Sequence, residues 1–284
     1  MKQERFIAPD GVRLVGDIAG PEEAPTVIFL HGGGQTRHSW AGAMHKLVDI
    51  GYHVINFDAR GHGDSDWSKD GNYSLDARAS DLRSIVSTVE RPIALVGASM
   101  GGITSFYAVA TSDHPIADAL VMVDIVLRPA QAGVAKIHAF MRANPDGFAS
   151  LEEAADAVAA YNPDRPRPKN PSGLLKNLRY REDGRLYWHW DPRMLAARPS
   201  AEPPGFHNEL VKVSSRVKIP TLLVKGGNSD IVDDQGVAEM CALIPQTEVY
   251  DVPGAGHMVA GDKNDRFIDG VTGFLTRYVP PEAR

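Results

Sequence analysis

The sequence predicts an α/β fold in which helices flank a mostly parallel central sheet. Short apolar runs rich in β-branched residues alternate with helical patterns up to residue 126, and this alternation returns after residue 213. Glycine-rich or acidic loops follow several of the apolar runs. Because open parallel sheets place ligands at the carboxyl ends of their strands, these loops are the candidate functional positions.

The elements follow one another in a regular order along the first part of the chain. Asp10-Gly11 is a strong turn signal between two strand patterns, which predicts an opening hairpin over residues 5–18. We predict the next strands at 26–30, 53–57, 92–96 and 119–123, with helices at 40–50, 75–89 and 103–111 between them. Two more strands, at 220–224 and 248–252, flank a helix at 235–243.

The alternation stops between residues 127 and 213, which we call the cap segment. No strand is predicted there, and the segment combines short helical patterns, including 151–161, with clusters of proline. The run Tyr187-Trp188-His189-Trp190 argues against a disordered linker, because disordered segments are poor in aromatic residues. We therefore predict an inserted helical cap over a core formed by residues 1–126 and 214–284.

The most informative motif is Gly97-Ala98-Ser99-Met100-Gly101, a G-x-S-x-G pattern between a predicted strand and a predicted helix. A serine hydroxyl becomes a good nucleophile only when a base removes its proton, and a carboxylate usually orients that base. His257 follows the strand at 248–252 in a glycine-rich loop and is the candidate base. Asp230 follows the strand at 220–224 and is the favoured acid, with Asp124, directly after the strand at 119–123, as the alternative.

A glycine-rich loop, His31-Gly32-Gly33-Gly34, follows the strand at 26–30, and we call it the oxyanion loop after the role that we predict for it. Acyl transfer places negative charge on a carbonyl oxygen, and backbone N–H groups that already point at this oxygen stabilise it. The predicted oxyanion donors are the N–H groups of Met100 and Gly33, and Gly34 is the alternative second donor.

These motifs, in this order, resemble the α/β-hydrolase superfamily, and within it the capped serine esterase/haloperoxidase-like group. The resemblance extends over nearly the whole chain and also includes the segment from Asp58 to Ser65. It implies the α/β-hydrolase fold, with Ser99 as nucleophile, His257 as base and Asp230 as orienting acid. It further implies hydrolysis of a small-molecule ester or lactone through an acyl-enzyme, with no cofactor and no metal.

Three other functions stay open at this point. The same triad serves carbon–carbon bond hydrolases of diketone-type ring-fission products, and similar proteins act as cofactor-free perhydrolases or haloperoxidases. A non-catalytic ligand-binding protein on a hydrolase scaffold is the third, which an intact set of Ser99, His257 and an acid disfavours. Serine rather than aspartate at position 99 disfavours dehalogenase and epoxide-hydrolase chemistry.

Aromatic residues near these motifs are candidates for the substrate pocket, because such pockets are mostly apolar. We expect contact with substrate from Trp40, which follows the oxyanion loop, and from Trp188 and Trp190 of the cap segment. Each of the three could equally be a core residue, since tryptophan buries a large apolar surface.

The composition of the chain argues against some classes of binding partner. The net charge of −6 and the lack of a basic tract argue against nucleic acid and anionic membranes as partners. Cys241 is the single cysteine, so no intrachain disulfide can form, and the N-terminus has no signal-peptide pattern. We expect a cytoplasmic enzyme and leave its assembly open, with a homodimer among the options.

Overall fold

The computed structural model describes residues 1–163, 167–196, 205–257 and 264–281. Within these ranges, eight strands form one sheet in the spatial order β1-β2-β4-β3-β5-β6-β9-β10. Strands β1 and β2 pair antiparallel as the opening hairpin, and β2 also pairs antiparallel with β4. The remaining five neighbouring pairs of this sheet are parallel. The strands are β1 (Lys2–Ile7), β2 (Arg13–Ala19), β3 (Thr26–Leu30), β4 (His53–Phe57), β5 (Ile93–Ala98), β6 (Ala119–Val123), β9 (Thr221–Gly226) and β10 (Thr247–Val252).

Helices cover both faces of this sheet, which explains why its central strands are continuous apolar runs. All residues of β3, β4 and β6 are buried, as expected for parallel strands packed on both sides. The helices are α1 (Ala41–Asp49), α2 (Leu75–Val86), α3 (Met100–Ala110), α8 (Asp234–Leu243) and α9 (Asn264–Tyr278). One hydrophobic cluster contains Leu82 of α2 and Phe106 of α3, and a second contains Phe267 of α9 and Trp40.

The cap segment lies between β6 and β9. Its described elements are α4 (Gln131–Arg142), α5 (Leu151–Tyr161), a 3-10 helix (Pro171–Lys176), the strands β7 (Leu178–Tyr180) and β8 (Leu186–Trp188), α6 (Arg193–Ala196) and α7 (Phe206–Ser214). The expectation that this segment contains no strand was wrong, because β7 and β8 pair as an antiparallel hairpin. With three residues each, these strands are too short to show the alternation that identifies a strand in sequence. The division of the chain into a core and a cap stays a prediction.

Candidate active site

Ser99 lies in the turn that connects β5 to α3, where the backbone has an unusual conformation. Its φ of 47° and ψ of −113° lie outside the regions that most residues adopt, and its N–H donates to Val123 O at 3.0 Å. A Cβ at position 101 would collide with the backbone of Leu30, and one at position 97 with the backbone of Gly101. The two glycines of the motif therefore allow the turn to pack closely against β3.

His257 follows β10, and its Nδ1–H donates to Asp124 Oδ2 at 2.8 Å. Asp124 directly follows β6, is fully buried and has a φ of 47°. Its carboxylate also accepts from Gly226 N–H at 2.8 Å, through Oδ1, and from the Ser229 hydroxyl at 2.6 Å, through Oδ2. The donors from Gly226 and Ser229 thus hold this carboxylate against the imidazole of His257.

The expected contact between Asp230 and His257 is not formed, which corrects the choice of acid made from the sequence. Asp230 Oδ2 pairs instead with Lys136 Nζ of α4 at 3.1 Å, and its side chain is 40% exposed. The loop after β9 turns Ser229 toward Asp124, so that its neighbour Asp230 points away from the buried carboxylate. Two signals in the sequence favour Asp124: it follows its strand without an intervening loop, as Ser99 does, and a serine stands just before Asp230.

The oxyanion loop is held by hydrogen bonds to its backbone. Gly32 N–H donates to Gln35 Oε1 at 3.0 Å, and Gly34 N–H donates to His62 Nε2 at 3.2 Å. Within the described ranges, the N–H groups of Gly33 and of Met100, the first residue of α3, donate to no backbone or side-chain acceptor. Of the two glycines considered from the sequence, Gly33 is therefore the one whose N–H remains available.

One cavity of about 300 Å³ joins most of the predicted site residues. Its walls include Gly33, Gly34, Ser99, Met100, His257, Trp188 and Trp190. Further apolar residues of the cap segment complete it, namely Val134, Ile137, Phe140, Met141, Val158, Met194 and Leu195. Trp188 and Trp190 stack with ring centroids 4.9 Å apart, and Phe140 stacks on Tyr161 at 4.3 Å. The cavity is thus largely apolar and aromatic around the serine hydroxyl.

Trp40 does not line this cavity, contrary to expectation. Its ring stacks on Phe29 of β3 and packs against Phe267 of α9, and only 1% of it is exposed. Trp40 ends the short 3-10 helix Arg37–Trp40, which directs its side chain into the layer between the sheet and α9. Because Trp40 follows the oxyanion loop closely in sequence, it was wrongly expected to line the substrate cavity.

Three buried histidines surround the oxyanion loop: His31, His62 and His189. The rings of His31 and His62 lie 4.9 Å apart, and those of His62 and His189 lie 5.7 Å apart. Burial lowers the pKa of all three, well below the ordinary range for His62 and to about 3 for His189. The three rings are therefore neutral near pH 7. From the sequence alone, His31 and His62 are interpreted as hydrogen-bonding scaffold, and no role is predicted for His189.

Arg60 and Asp64, within the segment from Asp58 to Ser65, lie in two ion-pair networks. Arg60 bonds Asp81 through two hydrogen bonds of 2.6 Å and also pairs with Asp10, while Asp64 pairs with Arg37 and Arg179.

Within the described ranges, no group of three histidine, cysteine or acidic side chains is arranged to hold a metal ion. Among the described helices, none combines the length and hydrophobicity needed to cross a bilayer.

Comparison with known proteins identifies the family to which this fold belongs. A family model described as alpha/beta hydrolase fold matches residues 25–263. An esterase of Mycobacterium tuberculosis, Rv0045c, is 30% identical over 264 residues, which cover 89% of this chain and 83% of the relative. An sn-1-specific diacylglycerol lipase of Mus musculus is 32% identical over 269 residues, which cover 90% of this chain and 82% of the lipase.

Solved structures agree with this placement. A crystal structure of the Mycobacterium tuberculosis esterase matches with a TM-score of 0.73 and 28% identity, covering 96% of this chain and 90% of the esterase. An E-2-(acetamidomethylene)succinate hydrolase has the same fold, with a TM-score of 0.83 at 24% identity and coverage of 96% and 98%. The chain therefore belongs to the α/β-hydrolase family, within its group of carboxylic ester hydrolases.

Proposed function

We propose that this enzyme hydrolyses small-molecule carboxylic esters or lactones with Ser99 as nucleophile, His257 as base and Asp124 as orienting acid. The observation that carries the proposal is the 2.8 Å hydrogen bond from His257 to the buried Asp124, beside a cavity that also contains Ser99. An aspartate bonded to Nδ1 fixes the tautomer in which Nε2 is free to accept the serine proton. The carboxylate also stabilises the imidazolium that results.

The reaction then proceeds in two acyl-transfer steps. His257 removes the Ser99 proton while the oxygen attacks the ester carbonyl, and the N–H groups of Gly33 and Met100 stabilise the oxyanion. His257 next protonates the leaving alcohol, which departs and leaves an acyl-enzyme on Ser99. A water molecule activated by the same histidine attacks this acyl group and releases the carboxylic acid.

The walls of the cavity favour substrates with an apolar group of moderate size. Stacked tryptophans and the side chains of Met141 and Ile137 provide hydrophobic contact, which contributes about 25 cal/mol per Å² of apolar surface removed from water. Burial raises the pKa of Tyr161 in the same wall to about 12, so its hydroxyl stays neutral at physiological pH. An ester whose acyl or alcohol part is alkyl or aryl suits this lining better than a charged one.

The experiment that tests this function compares hydrolysis of p-nitrophenyl esters, from acetate to octanoate, by the wild type and Ser99→Ala. We expect turnover in the wild type and a loss of about 10⁴-fold or more in Ser99→Ala, because the nucleophile is removed. Ser87→Ala is the matched control, since this exposed hydroxyl bonds only Ser84 O at a helix end.

Labelling provides an independent result. A fluorophosphonate should modify the wild type at Ser99 and leave Ser99→Ala unmodified, with the modified residue identified by peptide mass spectrometry. Turnover that survives in Ser99→Ala would contradict the proposed nucleophile. Labelling at Ser99 without hydrolysis of any ester would instead favour carbon–carbon bond hydrolysis, which uses the same triad.

A further inference from the structure

Three consecutive peptide units of the oxyanion loop are each held by a different buried histidine. His31 Nδ1–H donates to Gly32 O at 2.8 Å, and this carbonyl belongs to the peptide that carries the N–H of Gly33. His62 Nε2 accepts from Gly34 N–H at 3.2 Å. His189 Nε2 lies 3.4 Å from Gly34 O, the carbonyl of the third peptide.

The hydrogen bonds fix which nitrogen of each ring carries the proton. Ala59 N–H donates to His31 Nε2 at 2.9 Å, and His62 Nδ1 faces Arg60 O at 3.2 Å, so both rings carry their proton on Nδ1. Gly63 N–H donates to His189 Nδ1 at 2.7 Å, so this ring carries its proton on Nε2 and donates it to Gly34 O. His189 is the one member of the three that comes from the cap segment.

The residues next to His189 in sequence are held by contacts with residues outside the cap segment. Trp188 and Trp190 stack on each other, and Trp190 packs against Gly34, where an added Cβ would lie 3.3 Å from its ring. Asp191 N–H donates to Gly61 O at 2.9 Å, and its carboxylate accepts from the Tyr73 hydroxyl. The position of the His189 ring therefore follows the position of the cap segment on the core.

Gly34 has a φ of 75° and is the third residue of a turn that Gln35 N–H closes by donating to Gly32 O at 3.1 Å. A rotation of either peptide unit of Gly34 would also turn the neighbouring peptide and move the N–H of Gly33. A shift of about 1 Å in a catalytic group can lower the rate by about 10²-fold. The turn bond from Gln35 N–H and the bonds of His62 and His189 to Gly34 N–H and O together oppose this rotation.

We propose that His189 is a positioning residue that links the cap segment to the oxyanion hole by holding Gly34 O, so that the cap segment completes the support of the hole. This proposal rests on the proposed function, because it assigns the Gly33 N–H to the oxyanion. Hydrolysis by the wild type that is lost in Ser99→Ala tests that function separately, so the two proposals can fail independently.

The test compares His189→Asn with His189→Gln. The asparagine amide can replace Nδ1 as acceptor for Gly63 N–H but is too short to donate to Gly34 O. The glutamine amide reaches further and can donate to Gly34 O. We expect kcat of His189→Asn to fall by about 10- to 100-fold with KM within about twofold, and His189→Gln to recover most of kcat.

A trifluoromethyl ketone provides the readout that a purely structural role would not change. Its adduct with the serine places an oxyanion in the hole, so its inhibition constant should rise in His189→Asn by the same factor by which kcat falls. Arg181→Ala is the matched control, because it removes an exposed guanidinium that stacks on Tyr187 within the cap segment. This variant should keep its kcat and its affinity for the ketone.

Three results would overturn the proposal: an unchanged kcat in His189→Asn, a loss confined to KM or thermal stability, or an equal loss of kcat in Arg181→Ala. If His189→Asn does not fold, ¹⁵N–¹H correlation of the histidine rings in the wild type decides the question. We expect His189 as the Nε2–H tautomer, with a signal that shifts when the ketone binds. An Nδ1–H tautomer, or a signal that ignores the ketone, would contradict the proposal.

Discussion

The carboxylate of Asp124 receives three hydrogen bonds within a fully buried site. One oxygen accepts from Gly226 N–H, and the other accepts from both the Ser229 hydroxyl and His257 Nδ1–H. Charge-assisted hydrogen bonds of this kind are stronger than neutral ones and fix the direction of the carboxylate. The imidazole of His257 is thereby held in one tautomer and one orientation.

We predict that Asp124→Asn lowers kcat for p-nitrophenyl butyrate by about 10⁴-fold. The asparagine amide would present N–H groups to His257 Nδ1, which favours the tautomer that cannot accept the serine proton. Asp230→Asn should stay within about threefold of the wild type, because Asp230 pairs with Lys136 on a partly exposed surface. Steady-state kinetics of the two variants, with circular dichroism to verify folding, measure this difference. Loss of activity in Asp230→Asn alone would return the role of the acid to Asp230.

At the scale of single residues, the sequence was enough to predict that residues directly following a strand share one site. Ser99, Met100, Gly33 and His257 line one cavity because each follows a strand of the parallel sheet, as their positions in the sequence indicated. The choice between Asp124 and Asp230 depended on which way a loop turns, and the hydrogen bond from Ser229 to Asp124 is a tertiary contact. The core position of Trp40 depends in the same way on packing against Phe267, far away in the chain.

At the scale of elements, the site depends on how closely α3 approaches β3. Gly101, in the first turn of α3, lies so near the backbone of Leu30 that a side chain there would force the two apart. Leu30 ends β3 and leads directly into the oxyanion loop. The same contact therefore sets the distance between the serine turn and the proposed second oxyanion donor.

We predict that Gly101→Ala lowers the free energy of unfolding by about 2 kcal/mol, because overpacking a tight contact forces the backbone to shift. Gly273→Ala is the matched control in helix α9, where no described atom lies within 4 Å of the added Cβ. It should raise the free energy of unfolding by about 0.5–1 kcal/mol, since alanine favours helix. Urea denaturation measures both values. Equal effects of the two substitutions would show that the approach of α3 to β3 is not tight.

Most core elements and one helix of the cap segment were predictable because their period and length are clear in the sequence. The strands at 53–57 and 119–123 and the helix at 151–161 were confirmed with the same bounds. The hairpin of β7 and β8 was missed because its short strands depend on tertiary contacts. One of these is the pairing of Phe148 with Leu186, which joins residues 38 positions apart.

On the scale of the whole molecule, the fold buries three neutral histidines around the oxyanion loop. His31, His62 and His189 contact backbone groups of the oxyanion loop or of its neighbours, and all three are at most 2% exposed. Burial lowers each pKa from the ordinary value of 6.5. In the unfolded chain these side chains return to that ordinary value and bind protons more readily.

The enzyme should therefore lose stability as the pH falls below about 6.5. In this range the unfolded chain binds up to three more protons at these side chains than the native state, and stability falls toward acid whenever the unfolded state binds more protons. For His189 the loss is about 1.4 kcal/mol per pH unit and continues down to its folded pKa of about 3, and His31 and His62 add to it in the same direction. Burial also lowers the pKa of His38 and His53, which adds to the decline. Carboxylates with ordinary pKa values near 4 add to this mainly at lower pH.

The measurement is the free energy of unfolding in urea at half-unit steps from pH 7.5 to 5. We expect no decline from these three groups above pH 7 and a decline below about pH 6.5, to which His189 contributes about 1.4 kcal/mol per unit. His189→Gln, which cannot titrate, should reduce the slope near pH 5 by about this amount whatever its stability at pH 7. A flat profile between pH 6.5 and 5 would mean that the native state binds these protons as easily as the unfolded chain. The neutral tautomers that hold the oxyanion loop would then be excluded.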